Sequence, residues 1–86
     1  MYTPIQRWEK RKTRMLDGYV LIWVPEHPKS FRGWYYEHRL VYEKHIGAIL
    51  DSSETVHHIN LDKQDNRMLN LFVCTEAEHR KAHMLD

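Results

Sequence analysis

The chain has 86 residues, a formal net charge of +1 and one cysteine. At this length a single domain is expected, small enough that a metal, a partner or a second copy would add to its stability. A lone cysteine excludes an intrachain disulfide framework, and beside seven histidines it fits a reducing cytoplasm. No apolar run reaches the ~18 residues of a membrane span, and the basic N-terminus lacks the apolar centre of a signal peptide.

The charge is unevenly spread. Residues 1–50 hold nine Lys/Arg and five Asp/Glu, whereas residues 51–86 hold four and seven. The most basic stretch contains Arg7, Lys10, Arg11, Lys12 and Arg14 against Glu9 alone. Residues 1–16 read as an extended or partly helical arm, and residues 17–86 as the globular domain. A basic arm beside an acidic, histidine-rich half suits a polyanion gripped at one end and a cation held at the other.

Asp17-Gly18 marks a turn, and Tyr19-Val20-Leu21-Ile22-Trp23-Val24 a strand that Pro25 ends. A loop runs to Gly33. A helix is expected from Trp34 or Tyr35 to His45, with Gly47 as its stop. Trp23, Trp34, Tyr35 and Tyr36 read as core rather than as a base-stacking surface. Asp51 to Glu54 forms a turn, Thr55 to Ile59 a second strand, residues 60–69 a polar loop and Leu71 to Cys74 a third strand. Thr75-Glu76-Ala77-Glu78 has the pattern of a capping box, opening a helix to about Met84.

The C-terminal third is therefore strand, long loop, strand, helix. His57 and His58 sit at the end of the first of these strands. His79 and His83, four residues apart, share one face of the expected helix. If the strand end faces the helix, His57, His79 and His83 converge as three imidazoles, a donor set for a divalent transition metal with positions left for water or phosphate. Adjacent strand residues point to opposite faces, so His57 and His58 divide the work. His57 is the metal candidate. His58 has the chemistry of a general base toward water, and taken alone it reads more readily as a packed strand histidine.

His57-His58, Asn70-Leu71 and His79-x-x-x-His83 resemble the HNH endonucleases, the ββα-metal nucleases. Gly18-Tyr19-Val20, Pro25-Glu26-His27-Pro28, Glu37-His38-Arg39-Leu40-Val41, Val56-His57-His58-Ile59-Asn60 and Asp65-Asn66-Arg67 extend the resemblance toward the phage and intron-associated branch of that family. The resemblance implies an α+β domain with a C-terminal ββα-metal core, an additional N-terminal strand and a central helix. By position it makes His57, His79 and His83 metal ligands and His58 the general base. Asn70 becomes the central asparagine, whose amide pins the loop so that the base is aimed. The all-histidine ligand set tilts the metal toward Mn, Ni or Zn, with Mg also open.

The resemblance further implies a metal-dependent DNA endonuclease that nicks one strand and leaves 5′-phosphate and 3′-hydroxyl ends. Double-stranded DNA is the expected partner, bound by a monomer or weak dimer, with further phage proteins as open partners. A DNA-binding or packaging accessory with a structural metal is the alternative. Arg39 can reach the scissile phosphate or support the metal loop or, as a bland alternative, pair with Glu43 one helical turn away. Asp65 and Asn66 read as ordinary loop formers, whereas Arg67, like Arg7, Lys10, Arg11, Lys12 and Arg14, is a candidate DNA contact.

Overall fold

The computed structural model describes Ile5 and residues 7–75. Trp8–Lys10 forms one 3-10 turn, and three strands follow: β1 (Thr13–Leu16), β2 (Tyr19–Trp23) and β3 (Trp34–Tyr36). Next come α1 (Glu37–Ile46), β4 (Glu54–His58), a 3-10 turn at Met68–Asn70 and β5 (Leu71–Thr75). The strands make two antiparallel sheets, β1-β2-β3 and β4-β5. The protein is thus α+β, with one helix among the described residues.

Asp17 and Gly18 both take positive φ, 52° and 85°. This is the two-residue hairpin turn whose twist matches its strands, and it pairs Leu16 with Tyr19. Part of the expected arm is therefore the edge strand β1, and Lys12 and Arg14 are held beside β2. Thr13 to Leu16 is exposed throughout and shows no alternation, so nothing local marks it as a strand.

The helix begins later than expected. Trp34-Tyr35-Tyr36 pairs with Trp23-Ile22-Leu21 of β2, and α1 starts only at Glu37. Aromatic residues favour the pleated surface, and an available partner strand settles the choice. Gly33 precedes β3 at φ 90°. A Cβ there would lie 2.3 Å from the Trp23 ring, so only glycine allows this approach.

One core lies between the three-stranded sheet and α1: Trp8, Ile22, Val24, Tyr35 and Leu40. A second joins Leu50, Val56 and Leu71 beneath the two-stranded sheet. Val41 packs against both, so α1 is the element on which the sheets meet. The expected strands at 55–59 and 71–74 are present with shifted ends. The expected C-terminal helix and its capping box extend outside the described residues. No helix among the described residues is long and apolar enough to cross a membrane.

Candidate active site

β4 and β5 pair in register, Val56 with Val73, His57 with Phe72 and His58 with Leu71. Opposed residues share a face, so His58 lies with Val56, Val73 and Leu71 on the inner side, and His57 lies with Phe72 on the outer. The His57 ring stacks on Phe72 at 5.1 Å between centroids. Both histidines nevertheless line one cleft of about 360 Å³, together with Tyr19, Thr55, Leu61 and Lys63. Lys63 holds the hairpin side of this cleft, donating to the Asp17 carbonyl at 2.9 Å with its ammonium over the Tyr19 ring.

His58 is 8% exposed. Its Nε2 lies 2.6 Å from Asn66 Oδ1. Asn66 Nδ2 donates to Glu37 Oε1 at 2.8 Å, and Trp8 Nε1 donates to Glu37 Oε2 at 3.1 Å. Asn66 therefore does more than shape a loop, and Glu37 was not expected at the site. The sequence signal was the Asp65-Asn66-Arg67 and Glu37-His38-Arg39 motifs, but nothing local shows that they meet 29 residues apart.

His38 packs beside His58, with ring centroids 5.0 Å apart, and stacks on Tyr19. It is buried, and its Nδ1 has no hydrogen-bond partner among the described residues. Burial pushes its pKa down to about 3, with His58, Arg39 and His57 adding in the same direction. The ring is thus neutral at physiological pH, an uncharged wall behind the site.

Asn70 closes the loop between β4 and β5. Its Oδ1 accepts from the Asn60 amide at 3.0 Å, and its Nδ2 donates to Asn60 Oδ1 and to the Asp65 carbonyl at 2.9 and 2.8 Å. The Ile59 amide donates to the Asn70 carbonyl at 2.8 Å. Both ends of the loop are tied to one buried amide, directly after His58.

Arg39 does not pair with Glu43 among the described contacts. Its guanidinium donates to Tyr35 Oη at 2.9 Å and to the carbonyls of Glu54 and Asp51 at 2.8 and 3.2 Å. That is the opposite end of β4 from His58. The Glu43 carboxylate is filled by His27, Tyr35 and the Leu50 amide. Burial pushes the Tyr35 phenol well above its ordinary value. Arg39, Tyr35, Glu43 and His27 thus form a structural network that the sequence reading did not foresee.

The basic residues divide into two groups. Arg11 is bound bidentately by Glu26, and Arg67 by Asp65 at 2.7 Å for each contact. Arg67 holds the Asp65 carboxyl down to about 2. Arg7, Lys10, Lys12 and Arg14 are exposed, Arg14 lying over the Trp34 ring at 5.3 Å.

Among the described residues no group of three or more His, Cys, Asp or Glu is placed to hold a metal ion. Of the three expected ligands only His57 is described. His79 and His83 lie outside the described residues, so the set is carried by donor chemistry and not by geometry.

The model of a family described as HNH endonuclease matches residues 35–81. The match takes in most of β3 and all of α1 as well as the two-stranded sheet, so it is not confined to the C-terminal third, and it leaves β1 and β2 outside. No curated protein and no solved structure matches the chain. With more than half of its 86 residues inside the match, the chain belongs to the HNH endonuclease family.

Proposed function

We propose that the protein is a metal-dependent DNA endonuclease that nicks one strand by hydrolysis. The observation that carries this reading is the placement of His58. It stands at the end of β4, shares a cleft with His57, and is followed at once by the loop tied to Asn70.

His58 is the general base. It takes a proton from water as the water oxygen forms a bond to phosphorus. The P–O3′ bond breaks, its electron pair stays on O3′, and a proton from solvent water completes the 3′-hydroxyl, leaving the phosphate on the 5′ side; His58 later returns its proton to solvent. His57, His79 and His83 are the residues that would hold a divalent ion, Mn, Ni, Zn or Mg. When bound, such an ion supplies charge stabilisation for the phosphate and the departing oxygen. Asn70 keeps the residues after His58 in one conformation and so aims the base. The exposed Lys12 and Arg14, with Arg7 and Lys10, supply phosphate contacts on double-stranded DNA. Binding of this kind is steeply salt-dependent and weakly sequence-selective.

One monomer carries one such site, so the first product from a supercoiled plasmid is the open circle. The test is a plasmid assay with Mg, Mn, Ni and Zn, comparing the native chain with His58→Ala. Open circles from the native chain and none from His58→Ala support the reading. Linear product at the earliest times would indicate paired sites. No cleavage with any metal, with DNA binding retained, would overturn the enzyme and leave a DNA-binding accessory protein.

A further inference from the structure

We infer that Glu37 and Asn66 are positioning residues that set the tautomer of His58, presenting Nδ1 to water as the proton-accepting nitrogen. The inference rests on the nuclease reading for its consequence, but its structural content stands apart from it.

The direction of the hydrogen bonds follows from elementary donor and acceptor inventories. Glu37 accepts at both carboxylate oxygens, from Trp8 Nε1 and from Asn66 Nδ2. A carboxylate offers no proton and an amide nitrogen offers no lone pair, so the NH₂ of Asn66 must face Glu37. Its oxygen then faces His58, and a carbonyl oxygen can only accept. The proton on that bond therefore belongs to His58 Nε2, 2.6 Å away. A neutral imidazole carries one proton, so the lone pair is on Nδ1. The chain of bonds from Trp8 through Glu37 and Asn66 to His58 has a fixed direction.

An ordinary reading of Glu37 is an acid in the first turn of a helix, where the dipole favours it. That role needs no partner in the β4–β5 loop. Both oxygens of Glu37 are instead engaged with residues 29 positions away, one on each side in sequence.

The same inventory predicts what reverses the tautomer. In Glu37→Gln, the Trp8 indole can only donate, so the new amide turns its oxygen to Trp8 and its NH₂ to Asn66. Asn66 must then rotate, oxygen toward residue 37 and NH₂ toward His58. Nε2 becomes the acceptor and the proton moves to Nδ1, the nitrogen that must be free. Adding Asn66→Asp restores an acceptor opposite His58 while accepting from the glutamine, and the original tautomer returns.

The test uses the full chain labelled with ¹⁵N-histidine. Ring ¹⁵N–¹H correlations are recorded over a pH series, and the tautomer is read on the alkaline plateau where the ring shifts no longer change. His58→Ala assigns the signal. Thermal unfolding of each variant verifies the fold, and Asn66→Ala serves as a second single variant. Expected are the Nε2–H tautomer in the native chain, its loss in Glu37→Gln and in Asn66→Ala, and its return in Glu37→Gln/Asn66→Asp. In plasmid nicking, Glu37→Gln should lower kcat about 10- to 100-fold with little change in KM, and the double variant should recover it. A native His58 protonated at Nδ1, or one indifferent to Glu37→Gln, overturns the inference. A tautomer response without nicking by the native chain upholds the relay and overturns the nuclease reading. Nicking without a tautomer response does the reverse.

Discussion

His27 Nε2 lies 2.7 Å from Glu43 Oε1, with the two side chains 0% and 1% exposed. This contact joins the loop after β2 to the middle of α1. Tyr35 Oη and the Leu50 amide donate to the other Glu43 oxygen at 2.7 and 3.1 Å. One carboxylate thus ties together the strand before the helix, the helix, the loop packed beside it and the chain beyond. Replacing Glu43 with alanine leaves buried donors without an acceptor. A loss of roughly 3–5 kcal/mol is expected, comparable to the whole stability of a small domain. Urea denaturation checks this, and a loss below about 1 kcal/mol would show that water enters and replaces the carboxylate.

His38 makes stability depend on pH. Its folded pKa of about 3 lies below the 6.5 of an unperturbed histidine. Between those values the unfolded chain binds a proton that the folded chain does not. The contribution is fully present above about 6.5 and is lost as pH falls toward 3, at up to ~1.4 kcal/mol per pH unit. His38→Phe keeps the ring volume and removes the titration. Unfolding free energies at several acidic pH values should fall less steeply for this variant than for the native chain. Parallel curves would remove His38 as a source of acid sensitivity.

Asn70→Ala removes three hydrogen bonds that span the β4–β5 loop. Because Asn60 N–H and the Asp65 carbonyl lose their partner together, a cost of about 1–3 kcal/mol is expected. Amide hydrogen exchange at Asn60 and its neighbours should accelerate while β2 and β3 stay protected. Uniform acceleration over the whole domain would mean that the loop does not open separately.

Arg39→Ala should destabilise the protein rather than disable its chemistry. The guanidinium holds Tyr35 and the carbonyls of Asp51 and Glu54, and nothing in its contacts reaches His58. A stability loss of about 1–3 kcal/mol is expected, with the nicking rate per folded molecule unchanged. A collapse of kcat at full folding would return Arg39 to the reacting phosphate.

The basic residues should differ in their effect on DNA affinity. Lys12 is exposed and its side chain has no carboxylate partner among the described ion pairs, whereas Arg67 is held by Asp65. Lys12→Ala should reduce the slope of log K against log salt by about 1, and Arg67→Ala by less. Fluorescence anisotropy across a salt series makes the comparison. Equal slopes would mean that DNA displaces Asp65 from Arg67.

Local chemistry alone determined much of this protein. Asp17-Gly18 specifies its hairpin turn by positive φ, and the β-branched and aromatic run after it makes a strand. The family was also legible, because its motif residues are spaced by short-range geometry. Tertiary structure decided the rest. Thr13 to Leu16 became a strand only because β2 offers an edge, and Trp34 to Tyr36 became strand instead of helix for the same reason. The partners of Glu37, Asn66, Glu43 and His27 were invisible, since each meets a residue far along the chain and a buried polar group takes whichever partner the packing brings within reach.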